Sequence, residues 1–396
     1  MTERSSPSAS AAATAAIPRS GRRVRASLPL GLGIAALLLI VSLAMGVPTQ
    51  VEAVTCPSIA ATRVVSVSTA TALKNALAVA EPGDRIDLAA GTYSGKFVIS
   101  SKSGTSSRPI VVCGPRSAVL NAGSTSSGYG FYLNSANFVH LLGFTVTNAQ
   151  KGIMLDGSNS CKLSELLVYN VGHEAVHFRK NSKRNRLERS NIHTTGRIKA
   201  SYGEGVYIGS AKSNLVGDAS DFNQVVGNHI GPDVTAEAID IKEYSRGGLI
   251  ADNRFDGRGM SGADSWIDVK GNGYLIQRNT GKSSIEDGMQ THDAVSGWGS
   301  YNVFDANVLN VNGPGYGIKV AKNTINIVRC NNKVSGAKLG LTNLKACSDQ
   351  GQALGTKPSS PAANWPKIAM AVKKKNATTI TATRVPVRAI RMPTLR

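Results

Sequence analysis

A three-residue pattern, apolar–x–apolar, recurs through the middle of this 396-residue chain and leaves few folds open. It reads Phe131-Tyr132-Leu133, Ile153-Met154-Leu155, Val176-His177-Phe178, Val206-Tyr207-Ile208, Ile239-Asp240-Ile241, Ile267-Asp268-Val269, Met289-Gln290-Thr291 and Ile318-Lys319-Val320, beginning every 22 to 33 residues. An extended segment turns its flanking residues to one side and its central residue to the other. A repeat of this length accommodates one coil of three short strands with turns. Between these segments runs a second series, each member carrying an asparagine: Asn191-Ile192, Asn228-His229, Asn253-Arg254, Asn279-Thr280 and Asn307-Val308. Asparagines at a repeated turn can hydrogen-bond from coil to coil. Aromatic residues make up 5% of the chain against 41 glycines, a balance that suits a turn-rich all-β fold. The one helical periodicity in the repeat region, near Ala70 to Ala80, suits a cap over the end of a stack. The expected fold is an all-β, right-handed parallel β-helix (solenoid) with an N-terminal cap and about eight or more coils.

The repeats delimit a β-helix domain at 64–347. Residues 1–27 are a basic, Ser/Ala-rich stretch expected to be disordered. Arg19, Arg22, Arg23 and Arg25 then precede an apolar run over 28–47, which reads as a signal peptide or a signal-anchor transmembrane segment. Residues 48–63 read as a linker, with a small-residue cleavage site at Val51-Glu52-Ala53. Residues 348–396 form a basic tail expected to be disordered. This order predicts a secreted protein, or one held at the membrane by its N-terminal segment with the β-helix outside the cytoplasm. Export makes disulfides possible. Of the five cysteines, Cys330 and Cys347 flank one short segment and are expected to pair; among Cys56, Cys113 and Cys161 the pairing stays open, with Cys56–Cys113 the first guess and one cysteine left over or paired between chains. No cysteine or histidine spacing suits zinc.

The formal net charge is +20, which points to an acidic partner. Much of the excess lies in the tails, and no nucleic-acid recognition motif accompanies it, so an acidic polysaccharide is expected rather than nucleic acid. A monomer is expected.

Aligning the coils places outward side chains in columns, with neighbours about 4.8 Å apart. The central column is Met154, His177, Tyr207, Asp240, Asp268, Gln290, Lys319. Two residues on it is Asp156, Arg179, Gly209, Lys242, Lys270, His292, Ala321. Two residues before the first inward position it is Glu174, Glu204, Glu237, Ser265, Asp287, Tyr316. Ionisable groups concentrate on this face more than on the other strands. Asp240 and Asp268 beside Lys242 and Lys270 are either a surface ion-pair grid or a site. Cleaving a uronic-acid chain by β-elimination needs a cation to neutralise the sugar carboxylate, a base for the adjacent proton and an acid for the leaving oxygen. Lys242, with Lys270 stacked over it, suits the base; Lys270 or His292 suits the proton donor. Asp240, Gln290, Arg179 and Trp298 are candidate substrate contacts, with Trp298 either offering a face for sugar stacking or packing under a turn. Glu237, Asp240 and Asp268 are candidate calcium ligands. Gly209 leaves a gap beside Lys242 that opens a groove.

The segment Glu237-Ala-Ile-Asp-Ile-Lys242 followed by Asn253-Arg-Phe255 resembles the chondroitinase B/alginate lyase family of polysaccharide lyases, within the pectin lyase-like superfamily of parallel β-helices. The resemblance implies that Glu237 binds calcium and that Lys242 is the catalytic base. Where that family carries Arg-His-Gly-Asn, this chain has Val269-Lys270-Gly271-Asn272, and a further carboxylate ligand of the family falls on Thr235. Trp266-Ile267-Asp268 is similar to a pectate lyase strand whose aspartate helps bind calcium. The paired-aspartate motifs of polygalacturonase-like glycosidases are absent. A polysaccharide lyase acting on an acidic, uronic-acid polymer is therefore expected. The alternatives are a non-catalytic β-helix binding glycan or cell wall, and a structural surface protein.

Overall fold

A computed structural model describes Cys56 and residues 61–349. The N-terminal apolar run and the basic tail from residue 350 lie outside the described residues. Among the described residues no helix is long and apolar enough to cross a membrane.

The fold is a β-solenoid of about 10 turns. Its three sheets have 11, 9 and 10 strands, and every named pairing is parallel. The central residues pair in the expected order, Met154 with His177, then Tyr207, Asp240, Asp268, Gln290 and Lys319. Their flanking residues point inward: Ile239, Ile267 and Met289 align and are fully buried. Burial of such side chains contributes about 1.5–3 kcal/mol each.

The coil interior is filled by stacked aliphatic side chains and by Phe97, Phe131, Phe144, Phe178, Phe255 and Phe304. Trp266 is the largest buried side chain. Its ring fits because Gly281 stands at the inward position that Phe255 and Leu309 fill on the neighbouring coils. A Cβ on Gly281 would lie 2.5 Å from the Trp266 ring.

Corners between the 11- and 10-stranded sheets are turned by one left-handed residue: Glu165, Arg189, Gly227, Asp252, Arg278 and Ala306 on successive coils. The residue after each corner carries the ladder. Asn228, Asn253 and Asn279 each donate through Nδ2 to the next asparagine Oδ1 at 2.9–3.0 Å, and Asn307 donates to Asn332 at 2.8 Å. Asn191 differs from expectation. It aligns with His229, one residue beyond the ladder, and Ser190 takes the ladder position, its N–H donating to Asn228 Oδ1. Asn279→Ala is expected to cost about 2–4 kcal/mol in chemical denaturation, because it strips partners from the Ile250 carbonyl, the Asn253 amide and the Asn253 side chain at once. A loss below about 0.5 kcal/mol would show that water replaces the ladder freely.

The helix Ala70–Ala78 starts at Thr69, whose hydroxyl accepts from the Ala72 amide at 3.2 Å, and buries Leu73, Ala76 and Leu77. It packs on the first strands of the stack, including Phe97–Ser100, as a cap. Cys56 pairs with Cys113 and Cys330 with Cys347, while Cys161 is a buried free thiol.

Candidate active site

The outward face of the nine-stranded sheet carries the candidate residues. The strand Val206–Ile208 presents Tyr207, Ile239–Ile241 presents Asp240, and Ile267–Val269 presents Asp268. Lys242 and Lys270 leave their strands two residues after these aspartates and fold back over them. Lys242 Nζ pairs with Asp240 Oδ2. Lys270 Nζ donates to Asp240 Oδ1 and to Asp268 Oδ2, each at 2.9 Å. The grid is largely buried: the side chains of Lys242 and Lys270 are 13% and 15% exposed and Asp240 is covered. Like charges stacked along each column are thus separated by opposite charges from the column beside it. Burial alone would lower the pKa of Lys270, but Asp240 and then Asp268 outweigh it and hold the ammonium well above its ordinary range. Lys270 therefore keeps its proton. Burial would raise Asp268, but Lys270 and His292 hold it far below the usual carboxylate range.

His292 Nε2 stands 3.1 Å from Asp268 Oδ1, at ion-pair distance but without the alignment of a hydrogen bond. Gln290 is buried and donates to Asp287 at 2.9 Å. Trp298 stands edge-on to Tyr244 at 5.4 Å and under the Arg246 guanidinium at 5.5 Å, at the rim of the same face. Arg179 is held by Asp156 and Tyr129. Its aligned neighbour toward Lys242 is Gly209, with φ +85°, so no side chain stands in the column between the two cations, and an added Cβ there would crowd Lys242 Cβ at 3.3 Å. Lys242, Lys270, Asp240, Asp268 and His292 thus form one connected cluster; Arg179 belongs to a neighbouring one across the gap.

Three groups matter that sequence reasoning placed in columns without assigning a role. Tyr207 lies between His177, whose ring is 4.3 Å away and edge-on, and Lys242, whose Nζ is 4.9 Å from the Tyr207 ring centroid. Among the described residues none hydrogen-bonds its hydroxyl. Burial, then Asp240, raises its pKa far above the ordinary phenol value, so it stays protonated. His177 bonds Glu174 through Nδ1 at 2.7 Å and the Gly209 carbonyl through Nε2 at 2.8 Å, which fixes the floor of the gap. Glu204 joins Glu237 and Asp240 in a trio whose carboxylate oxygens lie within 4.8 Å of one another.

The trio changes the expected ligand set. Asp268 is occupied by Lys270 and His292, and Glu204 stands in its place beside Glu237 and Asp240. Neither Glu204 nor Glu237 has a side-chain hydrogen bond or ion pair among the described residues. Burial, then Asp240, pushes Glu204 up to about 8 and Glu237 up to about 9. Both bind protons more tightly folded than unfolded, so their contribution to stability is complete below the ordinary glutamate range and is lost as pH rises toward 8–9. Thermal stability is expected to fall between pH 6 and 9, and Glu204→Gln is expected to flatten that fall. An unchanged slope in Glu204→Gln would assign the fall to other groups.

The ionisable residues are not confined to this face. On the 11-stranded sheet Glu188 is held by Lys162, Arg186 and Arg189. That cluster is saturated with cations, whereas Glu204 and Glu237 form no ion pair among the described residues.

No protein-family model matches the chain, and no curated protein does. Among solved structures, the alginate lyase from Paenibacillus sp. str. FPU-7 is 37% identical with a TM-score of 0.68, the match covering 72% of this chain and 99% of that one. The chain belongs to the family of that alginate lyase. Pectate lyase Pel9A shares the β-helix at 15% identity and a TM-score of 0.56, with 76% of this chain and 83% of that chain covered. So does PfbA, a surface adhesin of Streptococcus pneumoniae, at 14% identity and a TM-score of 0.50, with 70% and 75% covered. Family membership supports a lyase-like β-helix, and the fold by itself does not fix a role.

Proposed function

We propose that this protein is an exported polysaccharide lyase that cleaves a uronic-acid polymer, with alginate the first candidate, by β-elimination. The observation that carries the reading is the pairing of Lys242 with Tyr207 beside the Gly209 gap, in a member of an alginate lyase's family. The reaction removes the proton from the carbon bearing the carboxylate, forms a carbon–carbon double bond and expels the glycosidic oxygen, which takes up a proton. Lys270 keeps its charge and holds both aspartates. Lys242, which shares Asp240 with it, is the amine that takes the proton once it has given its own ammonium proton to solvent. Tyr207 hydroxyl, protonated and unbonded, delivers one to the leaving oxygen. Arg179 across the gap offers charge to the sugar carboxylates, and His292 beside Asp268 offers a ring nitrogen for hydrogen bonding.

Glu204, Glu237 and Asp240 fit a hard dication, because two of the three carboxylates have no other partner. Calcium there would have its six to eight oxygen ligands completed by water and substrate, and would supply positive charge beside the sugar carboxylate. Ligation requires ionised carboxylates. Calcium is therefore expected to raise the melting temperature more at pH 9 than at pH 6, and Glu204→Gln is expected to remove the effect. No shift at either pH would exclude this trio as the ligand set.

Export is supported by two disulfides and by the kind of substrate. Turnover assays on alginate, pectate, chondroitin and glucuronan test the reading. Cleavage of at least one supports it, and binding without cleavage would favour the glycan-binding alternative.

A further inference from the structure

The nine-stranded sheet continues past Lys270 for two more strands, Met289–Thr291 and Ile318–Lys319, and their outward side opens into a cavity of about 420 Å³. That volume is within the about 300–1,000 Å³ of ligand clefts. Gln290, His292, Lys319 and Lys322 line it, with Asp264 as its one carboxylate. Its frame is rigid. Thr291 Oγ1 accepts the Ala321 amide at 2.9 Å, and Asn343 brackets Val320 through both backbone groups at 2.8 Å. Lys319 is steadied at 3.2 Å from the buried Asp287 and 3.3 Å from Glu286. Lys322 is exposed and has no ion pair among the described residues. His292 Nε2 is buried without a hydrogen bond. The cavity thus combines a fixed floor with one exposed cation, Lys322, that has no ion pair among the described residues, while His292 at its edge faces Asp268.

Its position relates it to the site. Asp240, Asp268, Gln290 and Lys319 follow one another in register, so Lys319 lies about 14 Å from the Asp240 strand, three spacings of about 4.8 Å. Lys242, Lys270, His292 and Ala321 form the column beside it, and Lys322, the residue after Ala321, lines the cavity at the end of that column. A pyranose chain laid along this edge advances by about one strand per sugar. We propose that the cavity is a subsite for the carboxylate of a second uronate in the same chain, about three sugars from the bond that breaks, with Lys322 and Lys319 as its anion contacts. The proposal rests on the lyase reading and extends it: the protein selects long, continuously charged chains over short ones.

Lys322→Ala and Lys322→Glu test this, because the exposed, unpaired side chain can be changed without disturbing the fold. The readout is kcat/KM on a trisaccharide and a hexasaccharide of the uronate the wild type cleaves. For the hexasaccharide, Lys322→Ala is expected to lower kcat/KM about three- to tenfold, through KM, with Lys322→Glu lowering it further. The trisaccharide, too short to reach, is expected to be cleaved equally by all three proteins. Equal effects on both lengths, or none on either, would overturn the subsite while leaving the lyase reading intact. A wild type that cleaves no uronate polymer would overturn both.

Discussion

Replacing Lys242 is expected to reduce turnover on a cleaved uronate by about 10²–10⁴-fold, the usual worth of a general base. Lys242→Ala leaves Asp240 its contact with Lys270, so the buried carboxylate is not stranded and the fold should survive. Lys242→Arg separates the two roles open to this side chain. Arginine keeps the positive charge and does not give up its proton. Both variants are expected to be equally impaired if Lys242 is the base. Near-normal activity in Lys242→Arg would make the residue an electrostatic partner of the sugar carboxylate instead, and the base would have to be sought elsewhere on the face.

Tyr207→Phe is expected to have an effect of the same order, about 10²–10⁴-fold in kcat, with KM changed little. The substitution removes one oxygen that bonds no other described residue, and it keeps the ring that packs against His177 and under Lys242. Folding stability should therefore be unchanged or slightly higher. A loss confined to KM would mean that the hydroxyl only binds sugar, and unchanged kinetics would remove Tyr207 from the reaction.

Period-two alternation carried the fold. Inward positions such as Ile239, Ile267 and Met289 must be apolar in every coil, so register could be read from residue type alone. The asparagine ladder was readable only in part. Asn191 imitates a ladder residue by type, but the one-residue left-handed corner at Arg189 sets the true position at Ser190. The site columns were legible because they follow from the same register. What the columns could not show is where long side chains go once outside. Lys242 and Lys270 bend back onto Asp240 and Asp268, which turns apparent like-charge stacks into a neutralised grid. Glu204 stood in its column beside Glu237, but that both lack partners depends on which cations reach them, a property of three-dimensional side-chain direction. The same reason sets Arg179 apart: it points to Asp156 and Tyr129 rather than toward Lys242.

The central claim is that bonds are broken by elimination on this face. Its most direct measurement is the mass and ultraviolet absorbance of oligosaccharides released from alginate by the wild type and by Lys242→Ala. The account predicts wild-type products that absorb as conjugated unsaturated uronates and have not gained a water at the new non-reducing end, with almost none from Lys242→Ala. Products that have gained water and do not absorb, or equal release by both proteins, would contradict it.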